Sequence, residues 1–261
     1  MTDALRYEVV RLRTLRSTWW LTAISFVIAG LLGLPALSVK GDATLTDYGD
    51  IVTGGGGGVF LVAILLSLIA IFAIGHEYRY GTIRPTLSAL PRRSALMSAK
   101  VVVVASYVLV IALLCTMLRY VVSLIILGHR LSRLGLFPTP MGRVWIGSIL
   151  YTMVFALVGL ALAALFRNIP AAIVTVIVLP VIAENVIRGL LGLHVFHGIR
   201  GLAKLMPFSS GSQVFSYGPA DNSGGAGFNE LPAPWNGFFI FVGFLAIVLA
   251  ISWALFERRD A

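Results

Sequence analysis

Side chains able to ionise, bind or attack are scarce in this 261-residue sequence, where Asp, Glu, Lys and Arg make up 12% of the positions. They are also unevenly placed. The densest group lies between Glu77 and Lys100, reading EYRYGTIRPTLSALPRRSALMSAK. Gly81 permits a bend, Pro85 suits the first turn of a short helix, and Pro91 ends that helix. Ser94 can cap the helix that follows. The spacing predicts a short rigid element between two apolar runs, a geometry that suits docking of another protein, with a loop that only fixes topology as the plainer reading. That chemistry is docking rather than bond-making.

A second group is set inside apolar runs, where an ionisable side chain is costly and is either paired or functional. Arg119 follows Lys100 by 19 residues, about 28 Å along a helix. Glu184 follows Pro170 by 14 residues, about 21 Å along another. If both helices start on the same side, an Arg119–Glu184 pair is geometrically allowed, and Glu184 has a second choice in Arg188 one turn on. These three residues are candidates for a clamp, a gate or a substrate contact, with snorkelling to the interface as the plainer reading.

Other chemistry is weakly supported. His194 and His197 share a spacing of three but have no Cys, Asp or third His nearby in sequence, so no metal site is expected. His76 beside Glu77 is not an HExxH motif. Cys115 is the only cysteine, which excludes an intrachain disulfide. Gly54 to Gly58 lack the Lys and Ser/Thr of a phosphate-binding loop and are expected to form a soft joint. No catalytic residue, metal or cofactor site is assigned to the chain.

The elements that must position these residues follow from composition. Apolar residues make up 58% of the chain and mean hydropathy is +0.94, against about 45–50% apolar in ordinary soluble domains. One globular core cannot hide that much apolar surface. An all-α polytopic membrane protein is expected, forming a single transmembrane domain over residues 1–261. Six spans are predicted, at about 19–37, 59–75, 101–127, 144–166, 171–187 and 237–256. Residues 4–18 carry Leu5, Val9, Leu12 and Leu15 or Trp19 at helical spacing, which predicts an amphipathic helix on the membrane surface. The stretch from Arg188 to Trp235 opens with an apolar segment near Leu190 to Phe196 that suggests a re-entrant helix, followed by irregular loop. No cleavable signal peptide is expected, because the first apolar run is too long for one.

A net charge of +9 would suggest nucleic acid in a soluble protein, but here it is assigned to membrane topology and no nucleic-acid partner is expected. With the N-terminus inside, 12 of the 20 lysines and arginines fall on the cytoplasmic side. Seven fall outside and Arg119 lies within a span. The excess favours both termini in the cytoplasm of a bacterial plasma membrane protein.

Glu77, Tyr78, Gly81, Thr82, Ile83, Arg84, Thr86, Leu87, Pro91, Arg92, Arg93 and Lys100 together resemble the EYxxGTIRxTLxxxPRR…AK pattern of ABC-2 type transporter permeases, particularly those of high-GC Gram-positive bacteria. The opening Glu8, Leu12, Arg13, Arg16, Ser17, Thr18, Trp19 and Trp20 is similar to their ExxxLRxxRSTWW start, and Arg258 to Ala261 to their RRDA end. Tyr80 departs from the small or polar residue usual there. The resemblance spans essentially the whole chain. It implies the membrane subunit of an ATP-binding-cassette exporter, paired with a second copy or a related permease. ATP and Mg would be held by separate ABC ATPase subunits, as no Walker A motif occurs in this sequence.

The resemblance further implies that 77–90 is the element seated in the ATPase, with the interface helix bearing Glu8, Leu12, Arg13 and Arg16 beside it. The low charge of the spans suits hydrophobic or amphipathic cargo such as a drug, antibiotic, peptide or lipid. An integral membrane enzyme acting on lipid or peptide at the interface is the alternative, and a structural or sensory scaffold a third.

Overall fold

Uncharged apolar runs can satisfy their backbones within a bilayer only as helices or closed barrels. A computed structural model of the protein is all-helical, with no strand among the described residues. Those residues are 2–34, 57–82, 93–127, 141–191, 201–216 and 232–258, with isolated positions at 37, 49, 53, 54 and 85. The main elements are α1 (Thr2–Thr14), α2 (Arg16–Leu31), α3 (Gly57–Arg79), α4 (Arg93–Leu127), α5 (Met141–Phe166) and α6 (Ile169–Val178). A π-helical turn (Leu179–Ala183) then leads into α7 (Glu184–Leu191). After these come the short α8 (Pro207–Gly211), a 3-10 turn (Ser212–Val214) and α9 (Pro234–Arg258).

Five helical runs are long and apolar enough to cross a membrane: Gly57–Arg79, Ser94–Leu127, Met141–Phe166, Ile169–Leu191 and Pro234–Glu257. The first predicted span differs from these. It is represented by α2, of 16 residues, about 24 Å long and short of the ~30 Å hydrocarbon core. Most of the remainder of 19–37 past residue 34 lies outside the described residues. At the other extreme, α4 has 35 residues, about 52 Å, so it must stand well clear of the hydrocarbon at one end.

The bundle is organised around α5, which packs on α3, α9, α4 and α6 and is the most enclosed of the five long helices. Without a water-driven hydrophobic effect between helices in lipid, close packing relies on small residues. Gly159 of α5 lies against Ser67 of α3 so closely that an added Cβ would stand 3.1 Å from both Ser67 Cβ and its carbonyl oxygen. Outward faces remain apolar, with Val27, Ile125, Phe239 and Ile247 exposed.

The α5–α6 turn is tight. Arg167 adopts a left-handed backbone at φ 54°, and the Asn168 side chain caps α6 by accepting from Ala171 N at 3.3 Å. Further along, Pro180 cannot donate to the helical ladder, and the chain answers with the π turn, closed by the Glu184 N–H to the Leu179 carbonyl.

Residues 207–214, expected to be irregular loop, instead form α8 and the 3-10 turn, folded into the bundle against α9 and α5. Phe208 is the anchor, with its ring 5.3 Å from Phe155 and 5.1 Å from Phe241. A five-residue helix is too short to show an apolar period, and tertiary contacts, this aromatic cluster among them, hold it. The expected re-entrant segment is reached only in part: α7 runs to Leu191, and 192–200 lie outside the described residues.

Candidate functional site

The first turns of the chain put Ala4, Glu8 and Leu12 at four-residue intervals on the buried face of α1. This differs from the expected face. Leu12 is inward and Leu5 half-buried, but Val9 is exposed and a carboxylate, Glu8, holds the centre. Hydropathy alone cannot anticipate an inward acid whose partner lies on another helix. Arg6, Arg13 and Arg16 are exposed, and Trp19 and Trp20 are exposed beyond them, with Trp19 Nε1 donating to the Arg13 carbonyl at 2.8 Å.

That partner is Lys100, in the second turn of α4. Its ammonium donates to Glu8 Oε1 at 2.5 Å and to Glu77 Oε1, in the last turn of α3, at 2.7 Å. Arg11 Nη1 donates to the same Glu77 oxygen at 2.5 Å and lies 3.5 Å from Glu8 Oε2. Glu8, Glu77 and Lys100 are at most 1% exposed, while Arg11 reaches the surface at 15%. Two carboxylates and two cations from three helices thus form one neutral buried network.

Burial raises the Glu8 pKa above the usual carboxylate range by more than the Lys100 charge lowers it, with the Glu77 charge adding to the rise. Glu77 Oε2 is buried without a hydrogen-bond partner. A network of this kind contributes little net stability against an apolar replacement, yet losing one member strands the others. Its chemical capacity is mechanical: it fixes the relative positions of α1, α3 and α4.

The surrounding shell uses the neighbouring residues of the motif. Arg167, at the α5–α6 turn, lies over the Tyr78 ring at 5.2 Å, so a fourth and fifth helix are tied to the end of α3. His76 stacks on Phe72 with ring centroids 4.9 Å apart. Gly81 takes a left-handed φ of 66°, which is the bend expected of it and the reason a glycine suits the position. Thr82 follows, exposed, in the same turn. Ile83, Arg84, Thr86, Leu87, Pro91 and Arg92 lie outside the described residues. Arg93 is the first residue of α4, with its side chain likewise outside them.

The charges at the opposite end do not meet. Glu184 accepts from Phe208 N at 2.8 Å, from Ser209 N at 2.7 Å and from Ser209 Oγ at 2.5 Å. It caps α8, and Arg188 one turn on acts on it electrostatically. Arg119 reaches only Thr116 Oγ1, at 3.5 Å. The pairing allowed by sequence distances is therefore not made. Distance along a helix says nothing about its rotation, and Glu184 follows the π turn at Pro180 and faces α8. His194 and His197 lie outside the described residues.

A family model described as ABC-2 family transporter protein matches residues 4–183. The chain belongs to that family. With five helices able to cross a membrane, this ABC-2 protein is a multi-pass membrane protein and the membrane component of a transporter. The matched region runs from α1 through the π turn, so it contains the whole Glu8–Arg11–Glu77–Lys100 network and Arg119. No curated relative matches the chain.

Two site residues escaped sequence reasoning in this ABC-2 chain. In the sequence Lys100 is the last position of the motif, and Arg11 is one of four arginines among residues 1–18. The available signal was position: Lys100 is a lone cation between Ala99 and Val101 at the head of an apolar run, where a charge needs a partner.

Proposed function

We propose that this chain is the permease subunit of an ATP-driven exporter, crossing the membrane six times with α2 as the first span and both termini cytoplasmic. Two such subunits, identical or related, form the pathway, and separate ATPase subunits holding ATP and Mg dock beneath them. The cargo is a hydrophobic or amphipathic compound, in keeping with the apolar lining that these helices would give a dimer.

The observation that carries this reading is the buried network joining Glu8, Arg11, Glu77 and Lys100. Residues 80–92 follow the end of α3 at Arg79, two residues past Glu77, and lead into α4 at Arg93, seven residues before Lys100. A push on that segment is delivered to α1, α3 and α4 together, because the network locks their bases. Arg84, Arg92 and Arg93 suit carboxylates on the ATPase, and Tyr78 with Arg167 passes the displacement to α5 and α6.

The test is transport-coupled ATPase activity of the assembled complex in proteoliposomes. Glu77→Ala and Arg84→Ala should each uncouple hydrolysis from transport while the ATPase subunit still binds ATP. Unchanged coupling in both variants would refute the assignment.

A further inference from the structure

Of the two fully buried cations among the described residues, Lys100 and Arg119, only Lys100 has a carboxylate partner. Arg119 is 2% exposed, and its Nε and Nη1 are buried with no hydrogen-bond partner. A guanidinium carries five N–H donors and no acceptor, and the single long bond to Thr116 uses one of them. The nearby hydroxyls are committed: Thr116 donates to Ala112 O at 2.8 Å and Ser123 donates to Arg119 O at 2.7 Å. Every buried carboxylate among the described residues is engaged elsewhere, Glu8 and Glu77 at the base of α4 and Glu184 on α8. Arginine keeps its proton even in apolar surroundings, so Arg119 stays a cation in want of an anion.

The charge stands about 28 Å along α4 from Lys100, toward the end of the bundle opposite the network. It lies on the same helix that the proposed ATPase stroke would move. The planar fork of a guanidinium matches carboxylate and phosphate oxygens in pairs. Around it the helix offers Cys115, Leu118, Tyr120 and Val122, which would favour an apolar body attached to that anion.

We propose that Arg119 is a binding site for the carboxylate or phosphate head of an amphipathic anion, which rests on the permease reading and narrows its cargo class. The site is closed in this conformation and opens when α4 moves against α5. Trp145 of α5, with its ring 4.5 Å from that of Tyr120, provides a nearby fluorescent reporter.

The experiment uses the full-length permease alone, in zwitterionic nanodiscs, titrated with octyl phosphate, octanoate, inorganic phosphate and octyltrimethylammonium while tryptophan emission is followed. Octyl phosphate or octanoate should bind, with affinity falling roughly tenfold to a hundredfold in Arg119→Met and less in Arg119→Lys. Binding of inorganic phosphate with the same dependence on Arg119 would assign the site to free anions, and its absence would assign it to amphiphiles.

Equal affinities in wild type and Arg119→Met, or equal binding of the octyl cation, would overturn the proposal. Arg119→Met should also melt no lower than wild type. A clearly lower Tm would mean that the guanidinium has a structural counter-charge, such as one from a second copy, and would overturn it as well. Binding needs no ATPase, so a loss of coupling in the complex with anion binding intact would sink the transport reading alone.

Discussion

Lys100 and Glu8, 92 residues apart in sequence, are joined by a 2.5 Å ion pair between side chains that are 0% and 1% exposed. The pair makes α1 a structural part of the bundle rather than a helix floating on the membrane surface. An amphipathic surface helix is held by lipid and slides freely, whereas α1 is fixed to α4 by charge and to α3 through Arg11 and Glu77.

Lys100→Met should be strongly destabilising. It leaves Glu8 and Glu77 buried together with only Arg11 between them, a loss on the order of 3–5 kcal/mol for a broken buried ion pair. Thermal unfolding in detergent measures it. A Glu8→Gln, Lys100→Met double variant should recover part of the loss, since one stranded charge is removed. Additive losses would show that Glu8 and Lys100 do not interact.

The pH dependence has a definite sign. Because the folded state raises the Glu8 pKa above 4.5, it binds protons more tightly than the unfolded chain does. This group's contribution to stability is therefore fully present below the unfolded pKa and is lost as pH rises through the folded one. In a Tm–pH profile, Glu8→Gln should flatten the decline that begins near pH 4.5 in the wild type. An unaltered slope would count against a raised Glu8 pKa.

Gly147→Ala tests the seat of the 3-10 turn. A Cβ at 147 would stand 2.5 Å from the Val214 carbonyl oxygen and 2.8 Å from its carbon. Backbone cannot step aside as a side chain can, so overpacking should cost about 1–3 kcal/mol. Gly142→Ala, with nothing within 4 Å of the new atom, is the control and should leave Tm unchanged.

Glu184→Ala should release α8. Two amides and a hydroxyl lose their acceptor, at about 1–3 kcal/mol for each buried donor left unsatisfied. Hydrogen exchange of residues 207–214 should accelerate while that of α5 is unchanged. Glu184→Gln, which keeps one acceptor oxygen, should fall between. Equal protection in wild type and Glu184→Ala would deny the cap its role.

The sequence by itself determined the class, the helical content and the family. Long uncharged runs admit few structures in a bilayer, and the EYRYGTIRPTL stretch is specific enough to point to ABC-2 permeases from one chain. Gly81 was legible for the same reason: a turn that needs a left-handed φ selects glycine whatever surrounds it. The residues of the network were also visible one by one, as Glu8 and Glu77 in the motifs and Lys100 at the head of a span.

Only the tertiary structure decided which of these charges meet. Periodicity fixes how far a side chain lies along its helix but not the direction in which the helix is turned, and a pairing needs both. Lys100 therefore finds Glu8 and Glu77 across three helices, while Arg119 and Glu184, whose distances along their helices allow a pair, point to different neighbours. The same limit hid α8. Its five residues carry no period of their own, and their helical form depends on Phe208 entering an aromatic cluster and on Glu184 receiving their amides, both supplied by distant segments of the chain.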